Sequence, residues 1–208
     1  MYTPSFNQLS DRSLLIEAMR AYSFAILFGP KANANSLTSL AATHLPLVVK
    51  DSGPHGVLEG HFAKANPQWQ SLAGRETLAV FSGPNSYVSP TLYVDPLSVP
   101  TWNYIAIHAY GTLQLVEDEA GKNALLEGLI EAHEPAFLQR WHAFPEDFRQ
   151  NMLAGIVGFR IPIARIEGKF KLSQNRAAAE RAKVHAAHAA GSHDQQALAA
   201  WMERLGND

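Results

Sequence analysis

Turn-forming residues divide the first half of this chain into short segments, and the close spacing of these turns is the feature that most restricts its fold. The turns are marked by Gly29-Pro30, Asp51-Ser52-Gly53-Pro54, Asn66-Pro67 and Ser82-Gly83-Pro84. The segments between them are rich in aromatic and branched residues and are predicted as strands over 22–28, 37–49, 57–62, 77–81, 87–89 and 101–116. Short strands with close turns are typical of a closed antiparallel barrel.

The predicted strands differ in length and in where proline falls. Pro46 interrupts the segment 37–49, so we expect that strand to bend or to lie at a sheet edge there. The segment 101–116 is the longest strand candidate, and 157–166 is predicted as a returning strand that completes the sheet. We therefore predict an α+β fold, mainly β, with six to seven antiparallel strands and peripheral helices.

Helical periodicity is found on both sides of the strands. It predicts a helix over 10–20 that Ser10 or Asp11 caps, and three helices between 118 and 153. Beyond Gln174 the sequence is alanine-rich and charged, which predicts two helices broken at Gly191-Ser192. We therefore divide the chain into a domain over 1–175 and a helical extension over 176–208. That extension buries little by itself, so it should pack on the barrel or on a partner subunit.

Composition and motifs narrow the possible functions. The 208 residues are 47% hydrophobic and 17% charged, an ordinary globular balance. Cysteine is absent, which excludes disulfides and thiolate metal sites and fits the reducing cytoplasm where we expect the protein. The sequence also lacks the Gly-x-Gly-x-x-Gly and Gly-x-Ser-x-Gly motifs. We expect no metal site, and we interpret His185, His188 and His193 as part of a solvated helix.

Six phrases of unusual composition follow one another in order along nearly the whole chain. They are Met1-Tyr2-Thr3-Pro4 with Phe6, His44-Leu45-Pro46, Gly60-His61-Phe62-Ala63-Lys64-Ala65-Asn66-Pro67-Gln68-Trp69, Phe81-Ser82-Gly83-Pro84, Val99-Pro100-Thr101-Trp102-Asn103-Tyr104 and Lys171-Leu172-Ser173-Gln174-Asn175-Arg176. In these phrases the chain resembles the PaiB-like FMN-binding negative transcriptional regulators, a branch of the flavin-binding split barrels. The resemblance implies an FMN-binding split β-barrel, FMN as the cofactor, and a homodimer with the flavin in the groove between subunits.

The phosphate of FMN requires cationic or charge-assisted donors that lie close together. His61 and Lys64 lie at the end of a predicted strand and on the turn after it, beside Asn66. These three residues can supply such donors, and the resemblance implies that their turn faces the phosphate. In the alternative interpretation, Lys64 is a solvated surface lysine and His61 a hydrogen-bonded histidine of the barrel.

The end of the strand that contains Thr43, His44 and Pro46 is a second candidate contact. An interrupted strand leaves backbone donors free, and such groups commonly bind the polar edge of a ring or the ribityl hydroxyls. The alternative is an ordinary edge strand that Pro46 terminates.

Two further phrases complete the predicted flavin contacts. In a strand, Trp102 and Tyr104 lie on one face and Asn103 on the other, so the aromatic pair covers a flavin ring, fills a dimer interface or belongs to the barrel core. The second phrase groups four polar side chains that contact the ligand or lock the structure near it. These are Lys171, Ser173, Gln174 and Asn175.

Two functions remain open at this stage. One is a negative transcriptional regulator of the PaiB type; the other is a flavin-dependent oxidoreductase or flavin reductase on the same fold. Residues 165–183 contain six Lys or Arg and two Glu, yet direct DNA binding has little support because no helix-turn-helix signature occurs. His61 and His108 are the histidines that we would test as general acids or bases.

Overall fold

The computed structural model describes residues 1–31 and 40–206. Within those residues there are nine β-strands and seven α-helices. The strands are β1 (Gln8–Leu9), β2 (Phe24–Pro30), β3 (Leu40–Pro46), β4 (Val48–Lys50), β5 (Val57–Ala63), β6 (Glu76–Val88), β7 (Thr101–Thr112), β8 (Gln114–Val116) and β9 (Ile156–Lys171). The helices are α1 (Arg12–Ala21), α2 (Gln68–Leu72), α3 (Glu119–His133), α4 (Phe137–Ala143), α5 (Glu146–Ala154), α6 (Ala178–Ala189) and α7 (His193–Arg204).

The strands form one sheet in the order β3-β2-β6-β7-β9-β5-β4, and β1 and β8 also pair with β9. The pairs β2–β3, β2–β6, β4–β5, β5–β9, β8–β9 and β1–β9 are antiparallel. Seven described strands therefore follow a continuous hydrogen-bonded path. The predicted fold class, an α+β and mainly β fold, is confirmed.

Two strand predictions are wrong. The predicted turn at Ser82-Gly83-Pro84 lies inside β6, which is continuous from residue 76 to 88. The pairing of β2 with β6 ends at Val80, so Pro84, which lacks an N–H group, takes no ladder bond from β2. The longest described strand is β9 with 16 residues, and the segment 101–116 is split into β7 and β8.

Other element predictions are confirmed. Asp11 caps α1, because its Oδ1 accepts hydrogen bonds from the backbone N–H groups of Ser13 and Leu14. Pro46 ends β3, and the predicted breaks before α4, α5 and α7 all occur. Residues 37–39 of the predicted strand 37–49, and the end of the tail at 207–208, lie outside the described residues.

One unit of the chain comprises residues 16–81 and 108–166, of which 32–39 are not described. Its core contains Phe62 and Phe159, whose ring centroids lie 5.0 Å apart. Glycine allows two close approaches here. A Cβ at Gly111 would lie 2.2 Å from the carbonyl oxygen of Pro162, and one at Gly158 would lie 2.7 Å from the side chain of Leu125. Bare backbone is therefore needed where β7 meets β9 and where α3 covers β9.

The other unit comprises residues 1–15, 82–107 and 167–208, of which 207–208 are not described. Helices α6 and α7 pack within it, and the rings of Phe170 and Trp201 lie 5.2 Å apart. Glu180 accepts a hydrogen bond from the backbone N–H of Val94 at 2.8 Å. The predicted domain boundary after residue 175 stays a prediction. No helix in the described residues is both long enough and apolar enough to cross a membrane.

Candidate functional site

A hydrogen-bonded network fixes the turn after β5 in the unit 16–81 and 108–166. The hydroxyl of Thr43 accepts a hydrogen bond from the Asn66 amide at 3.0 Å and donates to Oε1 of Gln68. Oδ1 of Asn66 accepts from the backbone N–H of Gln68 at 3.0 Å, and the Gln68 side chain donates to the carbonyl of Ala41 at 3.0 Å. The end of β3 and the turn after β5 are thus held as one rigid piece.

Lys64 lies on this turn with a fixed backbone and an exposed side chain. Its N–H donates to the carbonyl of Gly155 at 2.9 Å, and its own carbonyl accepts from the Trp69 indole at 3.2 Å. His61 precedes it in β5, opposite Gly158, and is partly buried. That burial lowers the pKa of the His61 imidazole. Around neutral pH the residue is therefore a neutral hydrogen-bonding group.

His44 and Pro46 lie in β3, opposite Ile26 and Phe24 respectively. The His44 side chain is exposed, and its ring stacks on that of Phe24 with a centroid distance of 6.2 Å. Thr43, His44, Pro46, His61, Lys64 and Asn66 therefore all belong to one unit. Their assignment as flavin contacts stays a prediction.

The aromatic phrase lies at the start of β7, in the unit 1–15, 82–107 and 167–206. Trp102 is 53% exposed and meets the ring of Tyr87 edge-on at 6.1 Å. Asn103 is fully buried and Tyr104 is partly buried. The alternation expected of a strand therefore holds, with Asn103 facing the interior.

The phrase that follows β9 packs against Asn103. The hydroxyl of Ser173 donates to Oδ1 of Asn103 at 3.1 Å, and the amide nitrogen of Asn103 lies 3.3 Å from Nε2 of His188. Ser173 has a φ of 64°, in the left-handed region that residues other than glycine rarely adopt. Gln174 closes this turn, because its side chain accepts from the Leu172 N–H at 2.7 Å and donates to the Phe170 carbonyl.

Lys171 and Asn175 line a cavity of about 520 Å³ in the same unit. The Lys171 ammonium donates to the Thr101 hydroxyl and, at 2.6 Å, to the carbonyl of Trp102. Its pKa is lowered by burial first, and then by the charges of Lys169 and Arg176. The predicted contacts Trp102, Tyr104, Lys171 and Asn175 thus share one cavity, whereas Asn103 and Ser173 are buried beside it.

Sequence reasoning missed several residues of these clusters. Gln68 stood inside a recognised phrase and is 3% exposed, but a glutamine carries no distinctive local signal. The interpretation of the three tail histidines as solvated is wrong for His188, which is 1% exposed, while His185 contacts Glu203 and His193 is exposed. Only tertiary packing buries one histidine of an alanine-rich helix. No metal-binding group of three or more residues is found in the part of the chain that the structure describes.

The basic stretch 165–183 is largely engaged within the chain. The guanidinium of Arg176 lies 3.7 Å from the ring centroid of Tyr93, and that of Arg165 lies 3.6 Å from that of Tyr110. Arg181 donates to the carbonyl of Arg176 at 2.9 Å. Lys169 is 9% exposed. These cations do not present a uniform solvated face.

Solved structures with a similar fold include flavoproteins. The FAD and heme binding protein from Mycobacterium smegmatis matches with a TM-score of 0.61 and 16% identity, covering 89% of this chain and 81% of that one. A flavocytochrome from Azotobacter vinelandii matches with a TM-score of 0.58 and 14% identity, covering 79% of this chain and 69% of that one. At these identities the likeness shows the fold.

Sequence comparison shows the family. A family model described as "Putative FMN-binding domain" matches residues 1–165. The Bacillus subtilis (strain 168) protein named "Protease synthase and sporulation protein PAI 2" is 39% identical over 139 residues, which are 65% of this chain and 66% of that protein, just under two thirds of its length. An uncharacterized protein from Emericella nidulans is 29% identical over 208 residues, covering 81% of this chain and 77% of its own. The chain therefore belongs to the PaiB-like family of FMN-binding proteins, whose cofactor is FMN.

Proposed function

We propose that this protein is an FMN-binding homodimer that acts as a negative transcriptional regulator of the PaiB type, with the FMN phosphate at the turn after β5. The observation that carries the flavin site is the network of Thr43, Asn66 and Gln68. It makes the turn rigid and leaves the Lys64 side chain exposed. A fixed backbone that presents a cation binds an anion at a low ordering cost.

The donors at this turn fit a phosphate. Lys64 supplies a point charge, and His61, which burial keeps neutral, supplies a ring N–H group. Asn66, on the same turn, donates to the Thr43 hydroxyl. The exposed imidazole of His44 on the same unit offers a flat surface and a polar edge for a ring. When bound, FMN supplies the electron-transfer chemistry, and the chain supplies binding and orientation.

An apolar sheet face supports the homodimer. In the unit 16–81 and 108–166, Phe24 is 64% exposed and Leu40 is 75% exposed. Phe28, Leu78 and Val80 line an open cavity of about 580 Å³ together with Leu40. Contiguous apolar surface of this kind marks an interaction site, and a second copy presents the same face.

The phosphate site is tested by titrating FMN into purified variants. We expect Lys64→Gln to weaken FMN binding by about tenfold or more, because it removes a charge-assisted hydrogen bond, and His61→Ala to weaken it as well. Lys183→Gln, at an exposed lysine of α6, is the matched control and should leave the affinity unchanged. Unchanged affinity in both site variants would move the phosphate elsewhere.

The dimer is tested by light scattering at micromolar concentration. The wild-type protein should have the mass of two chains, and Phe24→Glu should shift it towards one, because a carboxylate placed on an apolar interface is costly to bury. A wild-type monomer would contradict the proposal.

The regulatory role is supported by the relative whose name contains "Protease synthase and sporulation protein". One observation favours the second candidate, a flavin-dependent oxidoreductase or flavin reductase. Five of the six cations of 165–183 contact the chain itself, which suits a small-molecule role better than direct DNA contact. FMN-loaded protein should be assayed for NAD(P)H oxidation and for retention of promoter DNA at physiological salt. Retention without turnover supports the regulator, and turnover without retention supports the enzyme.

A further inference from the structure

The cavity lined by Lys169 and Lys171 carries positive charge without a counter-ion. Within the described residues, neither lysine forms an ion pair with a carboxylate. The ammonium of Lys169 donates to the carbonyl of Tyr2 at 3.0 Å, and that of Lys171 donates to a hydroxyl and a carbonyl. Lys169 is 9% exposed. Lys171 is partly exposed, and its pKa is lowered in part by the charge of Lys169. Two cations that line one cavity repel each other unless an anion joins them.

The walls of the cavity are aromatic. Tyr2, Trp102 and Tyr104 line it, and the Lys169 ammonium lies 5.5 Å from the ring centroid of Tyr2 and 5.3 Å from that of Tyr104. Flat aromatic surfaces favour a planar ligand. The volume of about 520 Å³ lies within the range of ~300–1,000 Å³ typical of small-molecule sites.

A buried acceptor adds a third recognition element. Asn7 lines the same cavity and is 3% exposed. Its Oδ1 is buried and has no hydrogen-bond partner in the structure. A buried carbonyl oxygen without a donor is costly, and a ligand that carries an O–H or N–H group would satisfy it.

We propose that, in the FMN-loaded protein, this cavity binds a planar aromatic anion that also carries a hydrogen-bond donor, such as an aromatic hydroxycarboxylate. The anion contacts Lys169 and Lys171, the ring packs among Tyr2, Trp102 and Tyr104, and the donor bonds to Oδ1 of Asn7. The site lies in the unit 1–15, 82–107 and 167–206, whereas the proposed phosphate turn lies in the other unit.

The charges explain why binding should depend on the anion. Burial and the neighbouring charges of Lys169 and Arg176 lower the pKa of Lys171. An anion in the cavity would oppose both effects and stabilise the protonated amine. The neutral analogue of the same ring lacks this contribution.

The test is calorimetric titration of FMN-saturated protein with three probes. We expect 4-hydroxybenzoate to bind. Benzoate lacks the donor and phenol lacks the charge, so each should bind at least about tenfold more weakly than 4-hydroxybenzoate. Lys171→Gln should weaken 4-hydroxybenzoate by about tenfold, Lys171→Arg should retain most of the affinity, and Lys183→Gln should match the wild type. Thermal unfolding, measured for each variant, verifies that it is folded, and FMN affinity is measured separately because Lys171 is also a predicted flavin contact.

Three results would overturn the proposal. The first is an absence of 4-hydroxybenzoate binding to folded wild-type protein. The second is binding to the FMN-free protein that FMN abolishes, because the cavity would then belong to the flavin site. The third is a Lys171→Gln variant that loses FMN affinity while keeping its affinity for 4-hydroxybenzoate. None of these results depends on the transcriptional role.

Discussion

The amide nitrogen of Asn103 lies 3.3 Å from Nε2 of His188, so strand β7 and helix α6 share a buried polar contact. Oδ1 of Asn103 is occupied by the Ser173 hydroxyl, which assigns the donor role in the histidine contact to the amide. Nε2 is then the acceptor and the imidazole is neutral. The contact therefore joins the recognised phrase of β7, the turn after β9 and the C-terminal tail.

Removing the histidine should destabilise the protein. His188→Leu keeps an apolar volume but leaves the Asn103 amide without an acceptor in a buried place. We expect a loss of about 1–3 kcal/mol in the free energy of unfolding. Urea denaturation measures it, and His193→Leu at an exposed position of α7 is the control. Equal stabilities of the two variants would show that the contact contributes nothing.

Stability should fall in mild acid. Burial, and then the charge of His185, lower the pKa of His188 below its ordinary value of 6.5, and burial lowers that of His61. The unfolded chain then binds more protons than the folded chain as pH drops below 6.5, so the histidines' contribution is present above that pH and is lost below it. Thermal unfolding as a function of pH should show this loss, with a smaller slope in His188→Leu. Identical slopes would contradict it.

The network at the turn after β5 should couple stability to flavin binding. Gln68→Leu removes the partner of Thr43 and the side-chain donor to the Ala41 carbonyl. We expect a loss of about 1–3 kcal/mol in unfolding free energy and weaker FMN binding, because the backbone that presents Lys64 loosens. Gln70→Leu, at an exposed position of the same helix, should change neither quantity. If Gln68→Leu alters stability alone, the turn does not hold the phosphate.

The close approach of β7 and β9 should make Gly111 intolerant of any side chain. A methyl group there would lie 2.2 Å from the Pro162 carbonyl oxygen, which belongs to the backbone and cannot rotate away. Gly111→Ala should therefore cost about 1–3 kcal/mol or prevent folding. At Gly155 the nearest atom would be 3.4 Å away, so Gly155→Ala is the control. Chemical denaturation of both variants, with soluble yield as a second measure, checks this.

Local pattern predicted much of the fold. Strand alternation put Asn103 on the opposite face from Trp102 and Tyr104, and the cap at Asp11 follows from the chemistry of a helix start. The turn predicted at Ser82-Gly83-Pro84 failed because local turn propensity does not show whether a strand continues past its last pairing with one neighbour, as β6 does beyond Val80. Propensity was overridden by the position of β6 in the sheet.

The sites were less accessible to sequence reasoning. Asn103 and Ser173 are 70 residues apart in the chain, and only the sheet brings them together. Gln68 and His188 were identified only from their burial in the structure, and that burial depends on the complete fold. Residue type therefore identified the exposed groups, such as Lys64 and Trp102, better than the buried groups that position them.

Ser173 occupies a backbone conformation where a protein engineer would ordinarily choose glycine. A left-handed residue with a Cβ costs about 1–2 kcal/mol relative to the right-handed region. Glycine would relieve that cost but would delete the hydroxyl that meets Asn103. Ser173 therefore keeps an unfavourable backbone conformation together with a hydrogen bond that glycine could not make. Replacing strained residues with glycine to stabilise this chain would remove the hydrogen bond to Asn103, which in turn contacts His188 of the C-terminal tail.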